Sequence, residues 1–365
     1  MEDREVQAAI SVYQTRLPSI AAFASALEVL LAQLVNDAEI AVDYITGRPK
    51  DAASLSKKLS NPKYSSLDEI TDLCGLRIVT RHAEDVKAVV ELIKHEFEIL
   101  EHVVHGAESP QSFGYASEHL IVKLDTRRAA LREWKANEGV VAEVQVRSIL
   151  QHAWASISHG LDYKDEGDAP KALRRQLFRI AALLETSDEL FDDFRRDMRD
   201  LRGEYRAVVD REEWRDLPLD FDSLQAAKDR LPWRGIAEAA IAADFDTRDV
   251  GSDADEWVDR GHDGADRRLV RAAKIAGLQS VGDLAEFMDE VVSNVELLRA
   301  FANSADAHEF RPRPLPQDVV IFALVAIKRS EATYNFLVDD GEIHFAQGIM
   351  TALREIVSPD EGGDD

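Results

Sequence analysis

Apolar residues recur at helical spacing early in the chain. Ile20, Phe23, Leu27, Leu30, Leu31 and Leu34 follow Pro18, whose fixed φ suits a first helical turn, and predict a helix starting there. Residues 73–80, with Leu76, Ile78 and Val79 at the centre, then read as a strand. Residues 85–96 return to helical spacing, with Val86, Val89, Val90 and Ile93 on one face. Residues 97–104, 119–124 and 140–146 read as further strands. Helices over 148–161 and 170–205 follow. The first part is therefore α+β, a small mixed sheet flanked by helices.

The second part reads as mainly helical. Helices are predicted over 267–276 and 281–302, with Ser280 as a cap and Leu284, Phe287, Val291, Val295 and Leu298 as a core stripe. The run 276–284 faintly resembles a helix-hairpin-helix turn, but an ordinary packing corner is the simpler expectation. Asp340-Gly341 suits a two-residue turn and predicts a hairpin over 334–345. The proline-rich run 311–316 should be extended, and the tail 359–365 disordered.

Composition narrows the class. The 365 residues suit two domains, placed at 1–215 and 216–365 with the boundary near 211–218. The chain carries 69 acidic and 44 basic residues, a net charge of −25, which argues against a general nucleic-acid surface. The acidity is uneven. Residues 1–215 hold 38 acidic and 29 basic side chains; residues 216–365 hold 31 and 15. Residues 244–266, with nine acids and three glycines, read as a solvated loop. A single cysteine, Cys74, excludes a disulfide framework and a cysteine zinc site. No apolar run is expected to span a membrane, and the acidic start is unlike a signal peptide, so a soluble cytoplasmic protein is expected.

Four places could carry chemistry. Residues 47–58 hold four cations, including Arg48, Lys50 and Lys58, with Ser54 among them and one anion; they suit a polyphosphate or form a solvated helix end. Asp72 precedes the strand containing Arg77, where a carboxylate can hold Mg²⁺ or cap a turn. Tyr115, between Gly114 and Ala116, could stack on a base or pack on the core. Glu143, Gln145 and Arg147 share one face of a strand, either a buried stripe that needs partners or a solvated edge. Together, two acids for one Mg²⁺, several cations and an aromatic suggest a nucleotide site for phosphoryl or pyrophosphoryl transfer. Neither GxxxxGK[ST] nor GxGxxG is present.

These residues lie in ordered motifs: Gly47-Arg48-Pro49-Lys50, Ser54 and Lys58; Asp72-Leu73-Cys74-Gly75-Leu76-Arg77; Gly114-Tyr115-Ala116-Ser117-Glu118-His119; Glu143-Val144-Gln145-Val146-Arg147; His152-Ala153-Trp154-Ala155; and His159-Gly160-Leu161-Asp162-Tyr163-Lys164. Over roughly residues 5–210 the chain resembles the synthetase domain of RelA/SpoT alarmone proteins, above all the small alarmone synthetases. The resemblance implies a nucleotidyltransferase-like fold that moves the β,γ-pyrophosphate of ATP to the 3′-hydroxyl of GDP or GTP. It implies that Arg48 and Arg77 sandwich the adenine and that Lys50, Ser54 and Lys58 hold the ATP phosphates. Asp72 and Glu143 would bind Mg²⁺, with Glu143 also a general base. Tyr115 would stack on guanine, with His119, Gln145 and Arg147 in support. It also implies a homo-oligomer, a tetramer in relatives, built through the helices after the sheet.

The chain departs from that pattern in three places. The stretch 108–113 and Ala116 lack the cations that many relatives place near the acceptor. No histidine precedes Arg48, so the hydrolase motif of long relatives is not expected, and His262-Asp263 stands without partners. Residues beyond about 215 match no pattern recognised in the sequence. Two other readings follow: a toxin-type relative that pyrophosphorylates the tRNA 3′ end under restraint by its C-terminal domain, and a degenerate nucleotide-binding module. In the first reading and in the synthetase reading alike, the second domain would regulate or shield the site.

Overall fold

A computed structural model describes residues 3–105, 117–160, 171–245, 263–307, 315–328, 330–339 and 353–354. The chain divides into two compact units at Arg196/Asp197. The division falls inside one long helix, whereas the sequence placed the boundary after it.

In the first unit, α1 (Asp3–Asp37) is followed by β1 (Val42–Pro49), α2 (Ala52–Leu59), β2 (Cys74–Thr80), α3 (Ala83–Glu96), β3 (Phe97–His105) and β4 (Ser117–Leu124). Then come α4 (Thr126–Ala129), β5 (Ala142–Ser148), α5 (Ile149–Gly160) and the first part of α6 (Lys171–Asp210). The five strands form one mixed sheet in the order β1-β2-β5-β4-β3. Only the central pair β2–β5 is parallel; the other pairs are antiparallel.

Alternation divides the sheet's side chains. Leu76, Ile78, Leu120, Val122, Ala142, Val144 and Val146 are buried in one core with Phe23, Leu27 and Leu31 of α1 and Val89 and Ile93 of α3. Each Val, Leu, Ile or Phe among them contributes about 1.5–3 kcal/mol when fully buried. The opposite face keeps the polar residues of β5 and β2. β5 lies at the centre of the sheet, which disposes of the solvated-edge alternative for its polar stripe.

Three expectations for this unit need correction. Pro18 does not begin the first helix; it lies inside α1, 35 residues long. Val6 and fully buried Tyr13 pack into the core on its N-terminal side, so tertiary burial outweighs the lost backbone hydrogen bond. β1 had no counterpart in the sequence reading, one of whose two alternatives put Gly47 and Arg48 in a solvated helix end. They are strand residues, registered opposite Leu76 and Gly75 of β2. Finally, by length and composition α1 is long and apolar enough to cross a membrane, contrary to the expectation that no run approaches that length. Ile20, Phe23, Ala24, Leu27, Leu31 and Val35 nevertheless belong to the core of this unit.

The second unit takes the end of α6, then α7 (Phe221–Ala227), α8 (Trp233–Ala242), α9 (Asp263–Ile275), α10 (Val281–Ser293), α11 (Val295–Ala307), α12 (Pro316–Lys328) and α13 (Glu331–Asp339). Residues 316–326 of α12 are all buried, so it is the central helix. Tyr205 and Val209 of α6 join this second core, which is why the division falls earlier than the change in composition. Ser280 caps α10 in a reciprocal box with Asp283, as the sequence suggested. The helix expected over 281–302 is broken at Asn294 into α10 and α11. The expected hairpin is overturned over 334–339, which is helical with Tyr334 and Leu337 buried at i, i+3 spacing; 340–345 lies outside the described residues. Most of the acidic stretch, 246–262, also lies outside them. Its end does not behave as a solvated loop: Asp266 is fully buried in α9 and accepts from Gln225, Lys228 and Gln317. Of the proline-rich run, Pro316 is the first residue of α12, a position suited to its fixed φ, and 308–314 is not described.

Candidate functional site

The polar face of the sheet is built by strand register. β1 sets Arg48 opposite Gly75 and Thr46 opposite Arg77; β2 in turn sets Gly75 opposite Glu143 and Arg77 opposite Gln145. Glycine at position 75 leaves room between Arg48 and Glu143 that a larger side chain would take. Beyond β1 the chain turns at Lys50 into α2, capped by Asp51, whose side chain accepts from the Ser54 amide at 2.9 Å. A pocket of about 200 Å³ results. It is lined by Thr46, Arg48, Pro49, Lys50, Asp51, Ser54, Asp72, Gly75, Leu76, Arg77, Glu143 and Gln145.

Seven residues singled out in the sequence therefore line one pocket: Arg48, Lys50, Ser54, Asp72, Arg77, Glu143 and Gln145. Lys58 joins them through Asp72. Its Nζ lies 3.1 Å from Asp72 Oδ1, while Lys50 Nζ donates to Oδ2 at 2.5 Å. Glu143 is held from the other side. His119 Nδ1 lies 2.9 Å from Oε1, and Gln145 Nε2 donates to Oε2 at 3.1 Å. Arg147, almost fully buried, donates from Nε to Ser117 Oγ at 2.8 Å and from Nη2 to Gln145 Oε1 at 3.3 Å. Its Nη2 also lies 3.4 Å from His119 Nε2. With an arginine at Nε2 and a carboxylate at Nδ1, the imidazole proton belongs on Nδ1. Tyr115 lies outside the described residues.

Two opposing effects set the charge of each carboxyl. Burial pushes Asp72 up, but Lys50 and then Lys58 outweigh it and hold it below the usual carboxylate range. Burial likewise pushes Glu143 up, and the His119 and Gln145 contacts bring it below that range, although the nearby Asp72 charge opposes them. Both are therefore anions near neutrality. Asp72 and Glu143 line the same pocket. A pair of hard carboxylates fits a small divalent ion that also takes phosphate oxygens. Among the described residues no cluster of three or more His, Cys, Asp or Glu side chains could hold a metal alone.

Tyr13 and Glu28 escaped the sequence reading, which named His152 in a motif but gave it no role. Fully buried Tyr13 donates its hydroxyl to the Lys50 carbonyl, and the Lys50 amide donates to Leu73 O at 3.0 Å. The backbone of this lysine is thus held from both sides. Glu28 of α1 accepts from the Gly47 amide at 2.7 Å beside Arg48. His152 of α5 stands edge-on to Tyr44, and burial, with the charges of Arg77 and Arg147, lowers its basicity. Tyr13 and Glu28 are more than 15 residues from what they hold, so no local pattern could reveal them.

The chain is similar to known proteins over part of its length. A family model described as a region found in RelA / SpoT proteins matches residues 47–168. The chain is 28% identical over 167 residues to the GTP pyrophosphokinase YjbM of Bacillus subtilis, covering 45% of this chain and 73% of that protein. It is 32% identical over 123 residues to GTP pyrophosphokinase YwaC of the same organism, covering 33% and 56%. The crystal structure of small alarmone synthetase 1 from Bacillus subtilis is 25% identical, with a TM-score of 0.43, covering 52% of this chain and 98% of that one. The match to the RelA / SpoT model spans residues 47–168, the stretch that holds every charged side chain lining the pocket.

Proposed function

We propose that the chain is an ATP-dependent pyrophosphotransferase that moves the β,γ-pyrophosphate of ATP to the 3′-hydroxyl of GDP or GTP. The observation that supports it most is the single pocket in which Asp72 and Glu143 face Arg48, Lys50 and Arg77. The bond formed joins the 3′-oxygen to the β-phosphorus; the bond broken is the α,β-anhydride, and AMP leaves. Arg48 and Arg77 lie on neighbouring strands and would stack on the adenine. Lys50 and Lys58 neutralise the phosphates, and Ser54, in the first turn of α2, adds a hydroxyl donor. Asp72 and Glu143 would hold Mg²⁺, which when bound supplies charge neutralisation on the phosphate oxygens. The ionised Glu143 carboxylate receives the proton of the attacking hydroxyl, and His119 keeps that carboxylate oriented through its 2.9 Å contact. Arg147 and Gln145 brace His119 and Glu143, and Tyr115 takes the guanine.

In this reading the catalytic domain is the first unit, residues 1–196, and the second unit regulates it. Exposed Ile180, Leu183, Leu190, Phe191 and Phe194 recur on α6 at helical spacing, with steps of three, four and seven among them, and support a homo-oligomer through that helix. The test offers purified protein ATP labelled at the γ-phosphate, with GDP, GTP or deacylated tRNA as acceptor. Label on GDP or GTP is the expected result. Label on tRNA alone would overturn the acceptor, and no transfer at all would overturn the enzyme.

A further inference from the structure

Each oxygen of the two carboxylates proposed to hold the divalent ion already faces a cation or a hydrogen-bonding side chain, Asp72 Oδ1 through an ion pair alone. Asp72 Oδ2 is taken by Lys50 at 2.5 Å and Oδ1 faces Lys58 at 3.1 Å. Glu143 Oε1 meets His119 and Oε2 meets Gln145, at 2.9 and 3.1 Å. An ion approaching Asp72 alone meets two ammonium groups whose side chains are only 17% and 28% exposed, so water screens them little. The same two lysines are the groups placed to neutralise a triphosphate. Lysine is a mobile point charge with rotatable donors and can exchange one anion for another without moving the backbone. At Lys50 the backbone is anchored by Tyr13 and Leu73, so an exchange there is confined to the side chain.

We propose that Lys50 and Lys58 lock Asp72 against a free divalent ion and release it only when a polyphosphate draws them away, so that ion and nucleotide enter as one unit. This rests on the nucleotide reading above and adds an order of binding to it. By linkage, whatever the phosphates contribute to metal affinity the metal returns to nucleotide affinity.

Electron spin resonance of Mn²⁺ added to the full chain tests the lock without turnover. Wild type with Mn²⁺ alone should show no protein-bound ion at concentrations where Mn²⁺ with α,β-methylene ATP gives one bound ion per chain. Replacing both lysines (Lys50→Met with Lys58→Met) should let Mn²⁺ alone bind at least about tenfold more tightly, a modest share of what two cations within about 4 Å impose at a partly buried site. Adding Asp72→Asn should remove that gain. Tight binding of Mn²⁺ alone to wild type, an arm that needs no variant, would overturn the lock. So would the absence of a gain in a double variant that keeps Cys74 shielded from thiol reagents. If the analogue binds but brings no protein-bound Mn²⁺, the lock fails and the nucleotide reading stands. If the analogue does not bind under any condition, the nucleotide reading fails and the lock with it.

Discussion

Gly75 lines the pocket and Gly47 lies beside pocket residue Arg48 on β1, and the geometry assigns them opposite sensitivities. A Cβ at Gly47 would sit 2.5 Å from the Ala24 carbonyl oxygen and 3.1 Å from its carbon. Both are backbone atoms of α1, so no side chain can turn aside. Restoring an ordinary 3.4 Å contact requires α1 and β1 to part by roughly 0.9 Å, and the 2.7 Å bond from the Gly47 amide to Glu28 stretches with them. Overpacking of this kind costs about 1–3 kcal/mol. The strained hydrogen bond adds up to about 1 kcal/mol, and the stiffer unfolded chain returns about 0.4–1 kcal/mol. A net loss of about 1–3 kcal/mol is expected for Gly47→Ala. At Gly75 the nearest atom to a new Cβ is Arg48 O at 3.8 Å, an ordinary contact, so Gly75→Ala should leave stability within about 0.5 kcal/mol. Its methyl group instead enters the pocket beside Arg48 and Glu143 and should weaken binding of an ATP analogue. The chain's one cysteine makes the assay specific to the first unit. Cys74 is buried, and burial pushes its thiol up to about 12, so it should react with a thiol reagent only on unfolding. Pulse labelling of Cys74 across a urea gradient should show an earlier transition for Gly47→Ala and an unchanged one for Gly75→Ala. Coincident curves for Gly47→Ala and wild type would refute the close contact between α1 and β1.

Other consequences can be checked in parallel. Asp72→Asn and Glu143→Gln should each abolish transfer to any acceptor in the labelled-ATP assay while keeping Cys74 protected; retained activity would contradict the site. Both carboxyls are depressed in the folded chain, so the stability they contribute is fully present above the unfolded values near 3.8 and 4.5 and is lost as pH falls through the lower folded values. Cys74 protection should therefore show no change attributable to this pair between pH 6 and 8. In the second unit, Asp266→Ala strands Lys228, Gln225 and Gln317 beside a void and should cost about 3–5 kcal/mol, read from the thermal transition of that unit. A fragment ending at residue 196 should be more soluble than one ending at 215, because Tyr205, Val209 and Trp214 are core residues of the second unit and would be bared. Static light scattering of the two fragments decides that.

Local patterns carried much of the site. Period two over 143–147 places Glu143, Gln145 and Arg147 on one face whatever the partners, and period 3.6 over 85–96 places Val86, Val89, Val90 and Ile93 on another. The cations after Gly47 and the carboxylate before β2 were likewise visible as residue types awaiting a common ligand. The sequence also showed that Ser280 could begin a helix, because a cap needs only its neighbours. Where patterns were ambiguous, tertiary contacts decided. Residues 42–49 carry no strict alternation, and only pairing with β2 makes them a strand. Pro18 reads as a helix start until buried Tyr13 and Val6 carry the helix past it. Tyr334 and Leu337 read as readily in a hairpin as in a helix until both are buried one turn apart. Strand order is a long-range choice, and it is what puts β5 at the centre, sets Gly75 between Arg48 and Glu143, and brings Asp72 to Lys50 and Lys58. The sequence by itself determined which side chains were available and which faces they shared. The tertiary structure alone decided which of them meet, because register and burial depend on residues dozens of positions apart that no local period records.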